Sequence, residues 1–330
     1  MQDSTQAATA TPYAGLSPDL ILDAIEGTGF APTGGLLELN SYENRVYQVE
    51  LDDGSFVVTK FYRPGRWSEA QIAEEHAFTA ELADAELPVV TPLLRDGVSL
   101  FEHAGFRFAV YPRQGGHSPD LEIEENLRVL ARTIARIHAI GAVRSFRHRP
   151  ALTLTRMGTE SRTLLLDGGF LPPEMEPAYA SVTEHLLARL EAPMALARSS
   201  GRIHGDCHMG NLLWRGDTPH FVDFDDCVNG PPIQDLWMLL SGEREERQAQ
   251  LDVILKAYRT FHDFDAADLA LIEPLRTLRI MHHAAWIARR WDDPAFPRAF
   301  PTFDSVRYWS EHVLSLREQL AALDEPPLSV

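Results

Sequence analysis

The chain has 330 residues, 45% of them hydrophobic and 24% charged, proportions of a globular protein with room for a sizeable core. Its 48 acidic and 30 basic side chains leave a formal charge of -18, which sets the surface against nucleic-acid phosphates and anionic membranes and leaves a basic polypeptide or a cationic small molecule open as partner. No apolar run approaches the ~20 residues that span a bilayer, and two cysteines are too few for a disulfide scaffold, so the reducing cytoplasm is the expected setting.

Met1 to Gly15 reads as a flexible lead-in, and Met1 to Pro12 lacks the basic start of a signal peptide. Ser17-Pro18 supplies the cap and first turn of a helix through Ala24. Tyr47, Val49 and Leu51 alternate as a strand, Asp53-Gly54 turns the chain, and Phe56 to Tyr62 returns as an apolar strand carrying Lys60. Apolar neighbours on both sides imply that Lys60 is covered on both faces, and a buried ammonium needs an anion. Ser68 and Gln71 form a capping box for a helix through about Ala83. Ile72, Phe78 and Leu82 mark its inward stripe; at about 100° per residue Glu75 falls inside that stripe and Glu74 points away, which makes Glu75 the candidate counter-ion.

Beyond Pro88-Val89-Val90, strands are expected from Val98 to Phe101 and from Phe106 to Tyr111, the second stopped by Pro112. Ile123 to Ile140 reads as a helix with Leu127, Leu130, Ile134 and Ile137 at core spacing and with Arg136 and His138 as packing or surface residues. Leu212 to Trp214 and His220 to Val222 form a hairpin around Arg215 to Pro219. With the turn centred on Asp217, position 213 faces 221, and Asn211 stands opposite Asp223 with Cα atoms roughly 4.5 to 5.5 Å apart. Such a pair can share one metal ion, and Asp206 lies five residues before Asn211 on the loop entering the hairpin. Phosphoryl transfer asks for this layout: a carboxylate to orient the attacking hydroxyl, and oxygen ligands for Mg²⁺ to neutralise phosphate charge.

Other readings of the same residues stay open. Asp206 and Asp223 could be turn carboxylates with Asn211 as a local cap; His204, Asp206 and His208 could ligate zinc or iron, although no second His/Asp cluster completes such a site and His204 and His208 suit struts that hydrogen-bond the loop better; Cys207 could be a nucleophile, although no motif supplies its base. Leu251 to Ala322 reads as helices, and the cluster His282, His283, Trp286, Arg289, Arg290 and Trp291 suits an acceptor site or a packed seam equally. The tail after Asp324 is expected to be loose.

His204-Gly205-Asp206 through Asn211, together with Phe221-Val222-Asp223, resembles the catalytic loop and metal-binding aspartate of the aminoglycoside phosphotransferase and choline kinase branch of the protein-kinase-like fold. Leu39 to Tyr47, Val58 to Pro64, Asp235 to Leu239 and Arg289 to Phe296 extend the likeness over nearly the whole chain. They narrow it to bacterial Ser/Thr protein kinases of that family, and to a role in stress survival. The resemblance implies an α/β (α+β) bilobal protein-kinase-like fold. Residues 1–111 would form a small N-terminal lobe of antiparallel sheet plus helix, and residues 112–330 a larger, mostly helical C-terminal lobe.

It further implies ATP and Mg²⁺ as cofactors, with Asp206 orienting the hydroxyl and accepting its proton, and with Asn211 and the catalytic Asp223 holding the metal. By the same likeness Lys60 grips the α- and β-phosphates and pairs with Glu75, main-chain groups near Val110 and Tyr111 meet adenine, and Asp235 braces the catalytic loop. A simple N-cap would explain Asp235 equally well. No Gly-x-Gly-x-x-Gly precedes Val46; Asn40-Ser41-Tyr42-Glu43-Asn44 stands there, with backbone N–H groups and the Ser41 hydroxyl left to meet phosphates. Asp223-Phe224-Asp225 replaces Asp-Phe-Gly, and only 11 residues separate Asp223 from Asp235, too few for a long phosphorylatable activation loop. Asp225 and Asp226 are solvated turn carboxylates or a second metal ligand. The implied partner is a protein substrate with a Ser or Thr acceptor, the chain itself included, and the implied state is a monomer without nucleic acid or membrane. Residue chemistry alone supports transfer to some hydroxyl, so a small-molecule kinase acting on an amino alcohol, sugar or aminoglycoside remains open, as does a non-catalytic nucleotide-binding module.

Overall fold

The computed structural model describes residues 11–197 and 201–329. In chain order they form α1 (Pro18–Glu26), β1 (Pro32–Leu39), β2 (Arg45–Leu51), β3 (Phe56–Phe61), α2 (Glu69–Asp84), β4 (Phe101–His103), β5 (Phe106–Pro112), α3 (Glu124–Gly141), α4 (Glu160–Asp167) and α5 (Glu176–Leu196). There follow β6 (Gly201–Ile203), β7 (Leu212–Arg215), β8 (Thr218–Phe221), β9 (Val228–Gly230), α6 (Ile233–Trp237), α7 (Arg244–Tyr258), α8 (Ile272–Ala288), α9 (Ala295–Ala299) and α10 (Val306–Ala322). Two compact units result: residues 1–68, 92–113 and 289–301 make the first, and residues 69–91, 114–288 and 302–330 the second. The first boundary inside the sheet region falls after Arg113, while α2 groups with the second unit and Arg289–Pro301 with the first.

The first unit is an antiparallel sheet in the order β1-β2-β3-β5-β4. Alternation places Val49, Leu51, Val57, Phe61, Phe108 and Val110 in one core with Ile21, Ala24 and Ile25 of α1. Ser17 caps α1 as its residue type dictates, its hydroxyl accepting from Leu20 N–H at 3.2 Å. Strand β1 has no counterpart among the sequence-based expectations because it is a largely exposed edge with a register shift between Pro32 and Leu36, so no clean apolar alternation marks it. The strand expected from Val98 to Phe101 instead occupies Phe101–His103, since Val98 is used in a tight bridge to Arg95. Of the expected lead-in, the first ten residues lie outside the described chain; Tyr13 is anchored, its hydroxyl donating to the Glu43 carbonyl at 3.0 Å under the Arg45 guanidinium.

The second unit is mostly helical around one core that runs from Phe78 and Leu82 of α2 through Leu130, Ile134 and Ile137 of α3 to Leu251 and Tyr258 of α7. Each fully buried side chain of this size contributes about 1.5–3 kcal/mol. The tail expected to be loose is tied to this core: Leu328 is 7% exposed, Arg244 donates to the Pro326 and Pro327 carbonyls, and Gln248 accepts from Ser329 N–H at 3.1 Å. No helix among the described residues is long and apolar enough to cross a membrane.

Candidate active site

The site rests on two small antiparallel pairs in the second unit. β6 pairs with β9, Ile203 opposite Val228, which lays the loop after Ile203 beside the segment before Val228. β7 pairs with β8 through a two-residue turn at Gly216-Asp217, where Gly216 has φ +60°. The register is Leu212 opposite Phe221 and Leu213 opposite His220, one residue shorter than expected. A one-residue shift exchanges the faces of a strand, so Asn211 does not stand squarely opposite Asp223. Its carbonyl accepts from Val222 N–H at 3.1 Å, and Asp223 follows in left-handed backbone, φ 57° and ψ 63°. That conformation is uncommon for a non-glycine residue, and it ends the strand and starts the single turn Phe224–Asp226.

The loop carrying Asp206 is held from below by Asp235 of α6. Its Oδ2 accepts from His204 N–H and its Oδ1 from Gly205 N–H, both at 2.8 Å, and Oδ2 also takes the His138 Nε2–H at 3.0 Å. His138 in turn meets the Tyr258 hydroxyl at 2.9 Å, so this histidine of α3 is a packing residue, as expected. Asp235 therefore braces the loop and does not serve as a simple cap, the N-cap of α6 being Pro232. Gly205 is required where it stands: its φ is +84°, and a Cβ there would meet the Asp226 carbonyl oxygen at 2.4 Å.

His204 has both ring nitrogens committed. Nε2–H donates to the Val222 carbonyl at 2.9 Å, Nδ1 faces the Asp206 N–H at 3.3 Å, and the ring lies 4.4 Å from that of Phe224. A histidine so used is a strut between the two loops, and no group of three His, Cys, Asp or Glu side chains able to hold a metal occurs among the described residues. Both histidines hydrogen-bond the loop as struts, the reading preferred over zinc ligation. His208 accepts from Gly210 N–H through Nδ1 at 2.9 Å and turns Nε2 toward Asp206 Oδ2 at 3.4 Å.

Asp206 and Asn211 are joined directly: Asn211 Nδ2 donates to the Asp206 carbonyl at 2.9 Å, which fixes the amide so that Oδ1 is its remaining branch. The other Asp206 oxygen, Oδ1, is paired with the guanidinium of Arg279 on α8. Burial opposes ionisation of Asp206, but the His208 hydrogen bond and the Arg279 charge outweigh it and hold the carboxyl well below its usual range. Burial raises the Cys207 thiol far above its ordinary value, with the charges of Asp235 and Asp206 adding to the effect, which removes Cys207 as a nucleophile. Cys227 is likewise fully buried and raised.

Glu75 is buried at 2% exposure, as helix geometry requires, and its Oε2 accepts from Arg149 Nη2 at 3.0 Å. The same guanidinium reaches the Asp225 and Cys227 carbonyls at 2.7 and 3.1 Å and the Gln71 carbonyl at 2.9 Å, so Arg149 stitches α2 to the segment that follows Asp223. No pattern in the sequence singles out Arg149, which lies 74 residues from Glu75. Glu74, expected to point away, accepts the N–H groups of Arg147, His148 and Arg149 at 2.7 to 2.9 Å and fixes the loop that delivers Arg149. Asp225 is 2% exposed and not a solvated turn carboxylate.

The remaining candidates lie in the first unit. Lys60 is 7% exposed on β3, its ammonium 4.8 Å from the Tyr62 ring centre and 5.7 Å from that of Tyr111. Val110 is fully buried and gives its carbonyl to Leu93 N–H at 2.7 Å, while Tyr111 shares a 3.0 Å hydroxyl contact with Tyr62. Ser41 sits in the β1–β2 connection, whose neighbour Glu43 is gripped by Arg290 at 2.5 Å and Arg66 at 3.6 Å, while Asn44 accepts from Arg63 N–H at 3.1 Å. Asp293 pairs with Arg63 at 2.9 Å and Arg45 at 3.2 Å. The aromatic and basic cluster singled out at the end of the chain is thus divided: Arg290 belongs to this ionic cage, while His282 on α8 meets Ser161 at 3.2 Å.

Residues 36–272 match the model of the APH phosphotransferase enzyme family. The chain belongs to this phosphotransferase family. Stress response kinase A of Escherichia coli O157:H7 is 44% identical over 315 residues, covering 96% of each chain. A protein named serine/threonine protein kinase RdoA, from Salmonella typhimurium, is 42% identical over the same share. Among solved structures, amicoumacin kinase hAmiN, in complex with AMP-PNP, Ca²⁺ and Ami, superposes with a TM-score of 0.71 at 20% identity over 94% of each chain. The kinase-like fold of this phosphotransferase, with its antiparallel sheet and largely helical second unit, is as the sequence implied.

Proposed function

We propose that this phosphotransferase moves the γ-phosphoryl group of ATP, in the presence of Mg²⁺, to a Ser or Thr hydroxyl of a protein substrate. The observation that carries the reading is the junction of Asp206 and Asn211 through a 2.9 Å hydrogen bond, with Asp223 next in chain to the Val222 that bonds Asn211. Protein as acceptor is supported by the resemblance of the chain to relatives named stress response kinase A and serine/threonine protein kinase.

The acceptor oxygen would bond to the γ-phosphorus as the bond from that phosphorus to the bridging oxygen of ADP breaks, and the hydroxyl proton would pass to Asp206. A weakly basic carboxylate suits a loose transition state, in which the attacking oxygen keeps its proton until late and orientation matters most. Asn211 Oδ1 and the exposed Asp223 carboxylate are hard oxygen donors of the kind Mg²⁺ takes. When bound, the ion would neutralise charge on the phosphates. Lys60 would grip the α- and β-phosphates and Glu75 would position it; Ser41 would meet the outer phosphate. Adenine would meet main-chain groups near Val110 and Tyr111 other than the Val110 carbonyl, which Leu93 already takes. The lobe division at residue 111, a monomeric state, a cytoplasmic setting, phosphorylation of the chain itself and service in stress survival complete the reading.

Incubation with γ-labelled ATP, alone, with a casein-like protein and with a panel of amino alcohols, sugars and aminoglycosides, is expected to label protein, and EDTA is expected to abolish the label. Label confined to small molecules would sink the protein-kinase reading. The pH dependence follows from Asp206. A carboxyl held below its unfolded value of about 4 keeps its charge, and the stability that charge contributes, above that value and loses both as pH falls through the folded value. The rate is therefore expected to show no acid limb from Asp206 between about pH 5 and 9; a limb near neutrality would assign the proton acceptor to another group.

A further inference from the structure

Beside Asp206 lies a cavity of about 330 Å³, lined by Trp237 of α6, Arg276, Arg279, Ile280 and His283 of α8, and His312 of α10. Its volume falls in the range of small-ligand sites. Arg279, one of the lining residues, is paired with Asp206. Arg276 lies 5.3 Å from the Trp237 ring centre and shares one oxygen of Glu273 with Arg247, at 3.4 and 3.1 Å. Two guanidiniums on one carboxylate leave a unit of positive charge uncompensated, in a chain whose formal charge is -18. Burial and the Arg279 charge hold His283 below the ordinary imidazole range, and burial drives His312 down to about 4. Both rings are neutral at pH 7, and His312 Nε2 is buried without a hydrogen-bond partner among the described residues.

We propose that this cavity is the acceptor site and selects a hydroxyl that carries a carboxylate or other anion nearby, held by Arg276 and Arg279, as in a Ser or Thr flanked by Asp and Glu. The inference rests on the phosphotransfer reading for the word acceptor, and on the cavity alone for the charge. An anion arriving at Arg279 exchanges one carboxylate partner for another and leaves Asp206 to the hydroxyl. Amino alcohols and aminoglycosides carry the opposite charge and are disfavoured by like-charge contact with both arginines. The same chemistry is offered by an acidic peptide and by a free hydroxy acid.

Calorimetric titration of the full-length protein separates these. The probes are a peptide with one Ser between Asp and Glu residues, the same peptide with Lys in their place, glycerate and ethanolamine. The acidic peptide or glycerate is expected to bind at least tenfold more tightly than the cationic probes, less so at high salt. Arg276→Gln and Arg279→Gln should each weaken that binding about tenfold, with Arg276→Lys restoring part of it. Tighter binding of the peptide marks a protein acceptor and tighter binding of glycerate a small one; either supports the charge assignment. Equal affinity across probes, absence of binding, or preference for the cationic probes overturns it. The probe comparison uses the unsubstituted protein, so it decides the charge assignment even where a variant fails to fold. Because binding is read without turnover, acidic selectivity in a protein that transfers no phosphoryl would sink the function proposed above and the acceptor role with it, and leave only the anion selectivity of the cavity standing.

Discussion

Asp206→Ala is expected to lower phosphoryl transfer by about 10²- to 10⁴-fold at saturating ATP, the usual contribution of a positioned proton acceptor. Nucleotide affinity should change little, because Asp206 faces Arg279 and His208 and its ties to Asn211 and His204 run through main-chain atoms. Arg279, 39% exposed at its side chain, finds water when its partner is removed, so the melting temperature should move by no more than a few degrees. Single-turnover rates with labelled ATP, set beside nucleotide binding and thermal melts of both proteins, give the comparison. Unchanged turnover in the variant would remove Asp206 from the chemistry. A parent protein that binds ATP and turns nothing over would instead restore the reading as a non-catalytic nucleotide module.

Asp235→Ala has its largest effect on stability. The carboxylate is 1% exposed and accepts three hydrogen bonds, from the His204 and Gly205 N–H groups and the His138 ring. A methyl group leaves three buried donors without an acceptor, at about 1–3 kcal/mol each. The sum, several kcal/mol, is a large part of the 5–15 kcal/mol that typically separates folded from unfolded chains. Urea denaturation should show a lower midpoint with an unchanged slope, and activity should fall in mild urea before the fold is lost, since the freed donors belong to the Asp206 loop. A variant as stable as the parent would show that Asp235 does not hold that loop.

These two carboxylates also show what the sequence could and could not reveal. The spacing from Asp206 to Asn211 and the apolar strands around them are enough to bring these two residues together, because each depends on residues close in the chain. The hairpin register differs from expectation by one residue because Gly216 accepts a left-handed conformation and closes the turn in two residues where five were allowed for. Helix periodicity places Glu75 inside correctly, yet its partner Arg149 comes from an irregular segment 74 residues away that carries no periodic signal. Arg279 lies 73 residues from Asp206. One cue was available, since Arg276, Arg279 and His283 recur at helical spacing on one face of α8, but the aromatic and histidine content of the same helix masks it. Edge strand β1 and the anchored C-terminal residues are illegible in the sequence because both are held by contacts that local composition does not announce.

The two cysteines have a chemical consequence. Oxidants and alkylating agents attack thiolates, and both thiols, one adjacent to Asp206 and the other closing the turn after Asp223, are sealed from solvent and kept protonated. Peroxide at concentrations that silence exposed-cysteine enzymes is therefore expected to leave both of these thiols intact.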